Sequence, residues 1–171
     1  GEGNSPYSSI SAFAGNYLFI DPRQLQAEGL LTDEEVQECV YPGSPYTADY
    51  SFAREKRLSV LRKAFARLDK ASLQKIEMFS KEQSWLSDFA LFMFLQKKYK
   101  GISWREWAEE TKREPADKEE LLFWMFVQYV FLKQWEKVRE YGNWKGVAFI
   151  GDMPIYPSLE SCDVWANEHL F

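Results

Sequence analysis

Apolar residues recur at helical spacing over three long stretches of the chain. In residues 50–68 and 84–99 they fall at every third or fourth position, which places them on one face of a helix. A longer stretch follows Asp117, a residue type that favours a helix N-terminus, and continues to about Tyr141. These stretches predict amphipathic helices with the following inward residues: Leu58, Leu61, Phe65 and Leu68; Trp85, Phe89, Phe92, Met93 and Leu95; Leu121, Leu122, Met125, Tyr129, Leu132 and Trp135.

Two shorter helices are indicated by capping boxes. In a capping box, a Ser or Thr side chain and a Glu three residues later each satisfy a free backbone N–H of the first helical turn. Thr32 with Glu35 predicts one such helix. Ser103 with Glu106 predicts another, over residues 104–112.

One segment is predicted as a strand. Residues 147–150 read Val-Ala-Phe-Ile and are followed by a loop that carries Asp152. A carboxylate directly after a buried strand lies at the C-terminal edge of a sheet, where α/β barrels bind their ligands. The pattern therefore favours an α/β fold. Because such a barrel takes about 250 residues, we expect the 171 residues to form part of a larger barrel.

Composition and charge narrow the classes of function. The net charge of −5, the pI near 5.1 and the absence of a basic stripe predict neither a nucleic-acid nor a membrane partner. The aromatic share of 17% suits either a large core or a surface that stacks on sugars, and composition does not choose between them. Cys39 and Cys162 lack metal-site spacing, and unpaired thiols suit a reducing cytoplasm. With no signal peptide and no long apolar run, we expect a cytoplasmic protein.

Candidate chemistry rests on loop residues. The chain has one histidine, His169, and the sequence does not support a catalytic Ser-His-Asp or Cys-His arrangement. Asp152 precedes Pro154, whose ring stiffens the turn, and this carboxylate either serves a site or caps loop amides. Asp163 lies one loop further on. Tyr7, in a Gly- and Ser-rich loop, either presents its ring to a sugar or pins the loop to the core.

Several blocks of sequence resemble one family. Residues 5–16 read SPYSSISAFAGN, residues 85–92 read WLSDFALF, and residues 134–135 read QW. Residues 151–156 read GDMPIY, and residues 163–167 read DVWAN. In this order and near this spacing, the blocks resemble those of the 4-alpha-glucanotransferases, also called amylomaltases or disproportionating enzymes.

The resemblance implies a fold and a reaction. The fold would be a partial (β/α)8 TIM barrel, with a first strand-end loop region at residues 1–31, a mainly helical insertion at 32–140, and a strand and loops at 141–171. The reaction would be retaining transfer of α-1,4-glucan segments, without a metal or an organic cofactor. The family's catalytic carboxylates lie in motifs like RIDHFRG, AEDLG and HDN, none of which occurs here. We therefore expect a portion of the enzyme that contains no catalytic residue and is inactive alone.

The resemblance also implies that residues of this chain contact the glucan. By resemblance, Tyr7 lies against the sugar near the cleavage point, and Asp152 supports the same subsite. Asp163 is a further substrate-binding candidate. The chain departs from the family pattern at Pro157 and Cys162, both in the loop after Asp152.

An alternative is a stand-alone glucan-binding or assembly module without catalysis. Both hypotheses predict maltooligosaccharides as partners. Uncovered barrel surfaces would also favour self-association, because exposed apolar faces and strand edges associate.

Overall fold

A computed structural model describes Ser5 and residues 7–107, 116–152 and 156–171. These ranges contain the α-helices α1 (Pro22–Ala27), α2 (Asp33–Gln37), α3 (Tyr50–Ala66), α4 (Lys70–Glu82), α5 (Leu86–Lys98), α6 (Lys118–Trp144) and α7 (Cys162–Ala166). They also contain short 3-10 helices at Tyr17–Phe19, Trp104–Glu106 and Glu168–Leu170. The described part of the chain is thus helical and irregular, with no residue in a β-strand.

Helix α6 is the central element of the structure. It packs against α3, α4, α5 and the 3-10 helix Tyr17–Phe19. Its start follows from the sequence, because the Asp117 side chain accepts a hydrogen bond from the N–H of Glu119 at 2.9 Å. The predicted capping role of Asp117 is confirmed.

The buried apolar residues form two clusters. The main core joins α1, α2, α3, α4 and α6 and contains Leu25, Val36, Val60, Leu61, Ile76, Phe123, Phe126 and Val127, with others. The second cluster joins α5, Trp104 and α7 and contains Leu86, Phe89, Phe92, Leu95, Val164 and Trp165. Met93 and Met125 pack against both clusters. Helices α5 and α6 therefore connect the two cores.

The helix predictions from apolar spacing are confirmed for the long helices. Residues 50–68 correspond to α3 and residues 84–99 to α5, each within two residues at either end. The capping box of Thr32 and Glu35 is also present at the start of α2. Helix α4 was not predicted from the sequence, although Asp69 caps its start and the apolar residues Leu73, Ile76 and Phe79 recur at helical spacing.

The prediction of a buried strand at residues 147–150 is wrong for this structure. These residues are not paired with another strand in the part of the chain that the structure describes. Ile150 is 98% exposed, and the ring of Phe149 packs edge-on against Trp135. A strand is stabilised by hydrogen bonds to a neighbouring strand, and no neighbouring strand lies in the described ranges. The partial barrel therefore remains a prediction. Trp135, predicted to face inward, is 38% exposed.

The prediction of an α-helix from the second capping box, Ser103 with Glu106, is also wrong. The Ser103 hydroxyl accepts from the N–H of Arg105 and starts only the 3-10 helix Trp104–Glu106. The backbone of Trp107 is extended, which ends the helix after a single turn. The remainder of the helix predicted over residues 104–112 lies largely outside the described residues.

Candidate functional site

The N-terminal loop, defined here as residues 7–15, presents Tyr7 to solvent. The Tyr7 side chain is 67% exposed, and the Tyr7 N–H donates to the Ser5 hydroxyl at 3.3 Å. Its ring is therefore exposed among the described residues, and the choice between a sugar contact and a structural pin stays a prediction.

Asp163 holds the middle of the N-terminal loop. One carboxylate oxygen accepts from the Ser11 hydroxyl at 3.2 Å, and the other accepts from the N–H of Ala12 at 2.7 Å. Beside this pair, the N–H of Cys162 donates to the carbonyl of Ile10 at 2.7 Å. Asp163 is positioned by the start of α7, where the Ser161 hydroxyl caps the helix. The structure thus joins this candidate site residue to the loop that carries Tyr7.

The end of the N-terminal loop lies directly on α6. The Gln128 side chain accepts from the N–H of Gly15 at 2.8 Å and donates to the carbonyl of Gly15 at 3.1 Å. A side chain at this glycine would not fit, since a Cβ atom built there lies 2.0 Å from the ring of Phe131. Six residues later, Gln134 makes the same pair of bonds to Asp21, at 2.7 and 3.1 Å. Neither glutamine was predicted to be functional from the sequence, although a glutamine among apolar helix positions is a signal of a buried polar contact.

Aromatic contacts join the motif blocks to one another. The rings of Phe13 and Trp85 stack with centroids 6.2 Å apart, and those of Phe92 and Trp165 lie 5.5 Å apart. Together with the Asp163 hydrogen bonds, these contacts bring residues 5–16, 85–92 and 163–167 into one region. The blocks that are distant in sequence are therefore neighbours in space.

Asp152 lies apart from these contacts. It is exposed in the segment that follows α6, and no hydrogen bond or ion pair joins it to another described residue. Residues 153–155, which include the Pro154 expected to stiffen its turn, lie outside the described residues. The structure therefore brings Asp163 and the Tyr7 loop together but shows no contact from either to Asp152.

The buried thiol next to Asp163 is unsuited to nucleophilic chemistry. Burial, with the nearby negative charges of Asp163 and Asp88, raises the pKa of the Cys162 thiol. Cys39 is also a free thiol, and burial raises its pKa as well. Both side chains are therefore held in the neutral, weakly reactive form.

Neither a metal centre nor a membrane span is found among the residues that the structure describes. No group of three or more His, Cys, Asp or Glu side chains is arranged there to hold an ion. No described helix has the length and apolar character needed to cross a bilayer.

Known proteins match the chain along its whole length. The family model described as 4-alpha-glucanotransferase matches residues 1–171. The 4-alpha-glucanotransferases of Aquifex aeolicus and Clostridium butyricum are 42% and 35% identical over 99% of the chain. The amylomaltase from Streptococcus agalactiae, solved in complex with acarbose, superposes with a TM-score of 0.87 at 34% identity over 99% of the chain.

The chain spans only part of the length of these relatives. It covers 36% of the Aquifex protein, 37% of the Clostridium protein and 37% of the Streptococcus chain. The resemblance recognised from the motif blocks is confirmed by the match over residues 1–171, and the chain belongs to the 4-alpha-glucanotransferase family.

Proposed function

We propose that this chain forms part of the glucan-binding region of a 4-alpha-glucanotransferase. The reaction would transfer α-1,4-glucan segments between maltooligosaccharides, through a covalent glycosyl-enzyme intermediate that retains the anomeric configuration. The observation that carries the proposal is the N-terminal loop, which exposes Tyr7 while Asp163 and Gln128 hold its backbone. An exposed ring on a fixed backbone suits stacking on a sugar, because little freedom is lost on binding.

In this proposal, Asp163 serves the substrate by fixing the loop. Both of its carboxylate oxygens already accept hydrogen bonds, from Ser11 and Ala12. An acceptor with both oxygens engaged has less capacity left for a sugar hydroxyl. We therefore assign Asp163 a positioning role for Tyr7.

Unlike Asp163, Asp152 is not engaged in hydrogen bonds with other described residues, and we assign it a direct contact with the substrate. Its exposed carboxylate has no partner among the described residues, so both oxygens are available as acceptors. The group would accept hydrogen bonds from a sugar hydroxyl or from residues that orient the nucleophile.

The catalytic carboxylates are assigned to the rest of the whole protein. Retaining transfer needs two carboxyl groups about 5 Å apart, and the motifs that carry them in the family do not occur in these 171 residues. The helices and loops described here would then line one side of a (β/α)8 barrel, in a cytoplasmic enzyme whose two thiols stay reduced.

The first test is Tyr7→Ala in the whole protein that carries this sequence. A stacking ring is worth about 0.5–1.5 kcal/mol beyond its buried area, so we expect kcat/KM for maltotriose disproportionation to fall about tenfold. The matched control is Tyr46→Ala, since Tyr46 is 94% exposed and lies outside the N-terminal loop. Equal efficiency of the Tyr7 variant and the control would contradict the proposed contact.

The second test is Asp152→Asn, which keeps the shape of the side chain and removes its charge. We expect the free energy of unfolding to change by under about 1 kcal/mol, as for a surface residue. Transfer activity should fall by roughly two orders of magnitude, as when a preorganised polar group is lost. A large loss of stability with turnover preserved would show that Asp152 holds the loop and touches no substrate.

The non-catalytic alternative is tested with the same proteins. The 171-residue chain alone is expected to release no glucose from maltotriose above a buffer control. The whole protein is expected both to bind acarbose and to redistribute maltotriose. Binding of acarbose by a whole protein that redistributes no glucan would favour the stand-alone binding module.

A further inference from the structure

Two glutamines of α6 make the same unusual contact with the chain that leads out of the N-terminal loop. Gln128 pairs with both the N–H and the carbonyl of Gly15, and Gln134 pairs with both groups of Asp21. The two glutamines are six residues apart, and so are their two partners. Residues 15–21 therefore run alongside α6 and are fixed to it at both ends.

A carboxamide is the side chain that this contact requires. Its oxygen accepts from a backbone N–H while its NH2 group donates to the carbonyl of the same residue. Gln128 is 1% exposed and Gln134 is 8% exposed, so water does not replace a lost partner easily. A glutamate of the same size would accept from the N–H but would set a negative charge against the carbonyl oxygen.

The segment between the two contacts is held by few other polar bonds. The Asn16 side chain caps the 3-10 helix Tyr17–Phe19, and Arg57 donates to the carbonyl of Ile20. The close approach of Gly15 to Phe131 fixes how near this segment lies to α6. On the other side of Gly15, Asp163 holds Ser11 and Ala12. The Ser11 hydroxyl also accepts from the N–H groups of Phe13 and Ala14. A shift of Gly15 would therefore displace Ala14 and disturb the Ser11 contact with Asp163, which fixes the part of the loop that leads to Tyr7.

We propose that Gln128 and Gln134 are positioning residues of the transferase, which hold residues 15–21 on α6 and thereby keep Tyr7 in place for the glucan. Neither glutamine touches substrate in this proposal. The inference rests on the proposed contact of Tyr7 with the sugar, and it assigns a role to Gln134 of the QW block that the motif alone does not reveal.

The test uses Gln134→Glu and Gln128→Met in the whole protein that carries this sequence. The glutamate variant keeps the size and removes one donor, and the methionine variant keeps the length and removes both polar bonds. We expect each to lower kcat/KM for maltotriose disproportionation, by no more than the roughly tenfold loss predicted for Tyr7→Ala. The matched control is Gln74→Glu, an exposed glutamine within α4.

A double-mutant cycle with Tyr7→Ala separates positioning from general loss of structure. Residues that act through one another have non-additive effects, whereas independent effects add. If the glutamines act through Tyr7, their variants should change kcat/KM by less than about twofold in the Tyr7→Ala background. The same loss in both backgrounds, or no loss with Tyr7 intact, would overturn the proposal.

Amide hydrogen exchange keeps this inference distinct from the proposed function. We expect faster exchange in peptides covering residues 8–21 of both glutamine variants, with peptides of α4 and the Gln74 control unchanged. If Tyr7→Ala alone has no effect on kcat/KM, the proposed sugar contact fails, whatever the exchange shows. If exchange over residues 8–21 is unchanged in the glutamine variants, the glutamines do not hold the loop, whatever Tyr7 does.

Discussion

The contact between Gly15 and Phe131 gives a prediction whose size can be worked out from the structure. A Cβ atom on residue 15 would lie 2.0 Å from Cδ1 and 2.1 Å from Cε1 of the Phe131 ring. Non-bonded carbon atoms pack best at about 3.5–4.0 Å. In Gly15→Ala, the ring or the loop must therefore move by more than about 1 Å.

Neither partner moves without loss. Phe131 packs against the main core, and the Gly15 N–H is held at 2.8 Å by Gln128. Extra carbon atoms forced into a packed site typically cost about 1–3 kcal/mol. We expect Gly15→Ala to reduce the free energy of unfolding of the 171-residue chain by this amount.

Urea denaturation followed by tryptophan fluorescence and circular dichroism measures the effect. With a slope of about 1–3 kcal/mol per molar urea, the midpoint should fall by roughly 1 M. The control is Gly151→Ala, because a Cβ atom there meets nothing within 4 Å. Its midpoint should be almost unchanged.

Removal of the ring provides the refutation. In a Phe131→Ala background the clash is absent, so adding Gly15→Ala should cost less than about 0.5 kcal/mol. An equal loss in both backgrounds would show that the Gly15 backbone, and not the ring, resists a side chain. No loss with Phe131 present would show that the close approach is not maintained in solution.

Further predictions concern ionisable and polar groups. Burial by itself would raise the pKa of Glu120, but hydrogen bonds and charges from Arg62 and a lysine of α5 outweigh it and hold the pKa below its usual value. The carboxylate therefore stabilises the fold at pH values above its unfolded pKa near 4.5, and this stabilisation is lost as the pH falls through the lower folded pKa. In Glu120→Gln, the midpoint of urea denaturation should accordingly fall less steeply than in the original chain as the pH is lowered below 4.5. Asp163→Asn should cost about 1–3 kcal/mol in urea denaturation, because an amide oxygen turned to the Ala12 N–H leaves the NH2 group facing the Ser11 hydroxyl, whose oxygen already accepts from two backbone N–H groups. Iodoacetamide should label Cys39 before the more deeply buried Cys162 in the native chain, as mass spectrometry of peptides would show.

The long helices could be predicted because their signals are local. The apolar spacing of α3 and α5 and the capping residue of α6 depend only on neighbours within a few positions. Helix α4 was missed although its signals are local as well: Asp69 caps its start, and Leu73, Ile76 and Phe79 recur at helical spacing. Local sequence therefore carries the signal for all four long helices, α3 to α6.

The strand predicted at residues 147–150 shows the opposite case. Its sequence is suited to a strand, yet Ile150 is 98% exposed and the segment is unpaired. A strand is completed by hydrogen bonds to residues far away in the chain. Since the chain covers about a third of its relatives' length, local sequence could indicate strand preference but could not supply the partner.

The candidate site was predictable in its residues but not in their connections. Sequence motifs indicated Tyr7 and Asp163, and nothing in the spacing showed that the Asp163 carboxylate holds Ser11 and Ala12 across 152 and 151 positions of chain. The exposure of Tyr7, on which the proposed ligand contact rests, also appears only in the structure.

The contacts among the motif blocks give a physical reason for residues whose role the sequence left open. The N-terminal loop has no regular secondary structure between Tyr7 and Gly15, so its backbone groups are not paired in a helix or a sheet. Within the loop, the Ser11 hydroxyl accepts from two of these N–H groups. From outside the loop, Asp163 and Gln128 accept from two more, and Phe13 stacks on Trp85 of another block. In the proposed function, a loop held in this way loses little freedom when Tyr7 receives a ligand. Asp163 of the DVWAN block and Gln128 of α6, which lies outside the motif blocks, are then needed for their hydrogen-bonding geometry, and in that proposal neither has to touch the sugar.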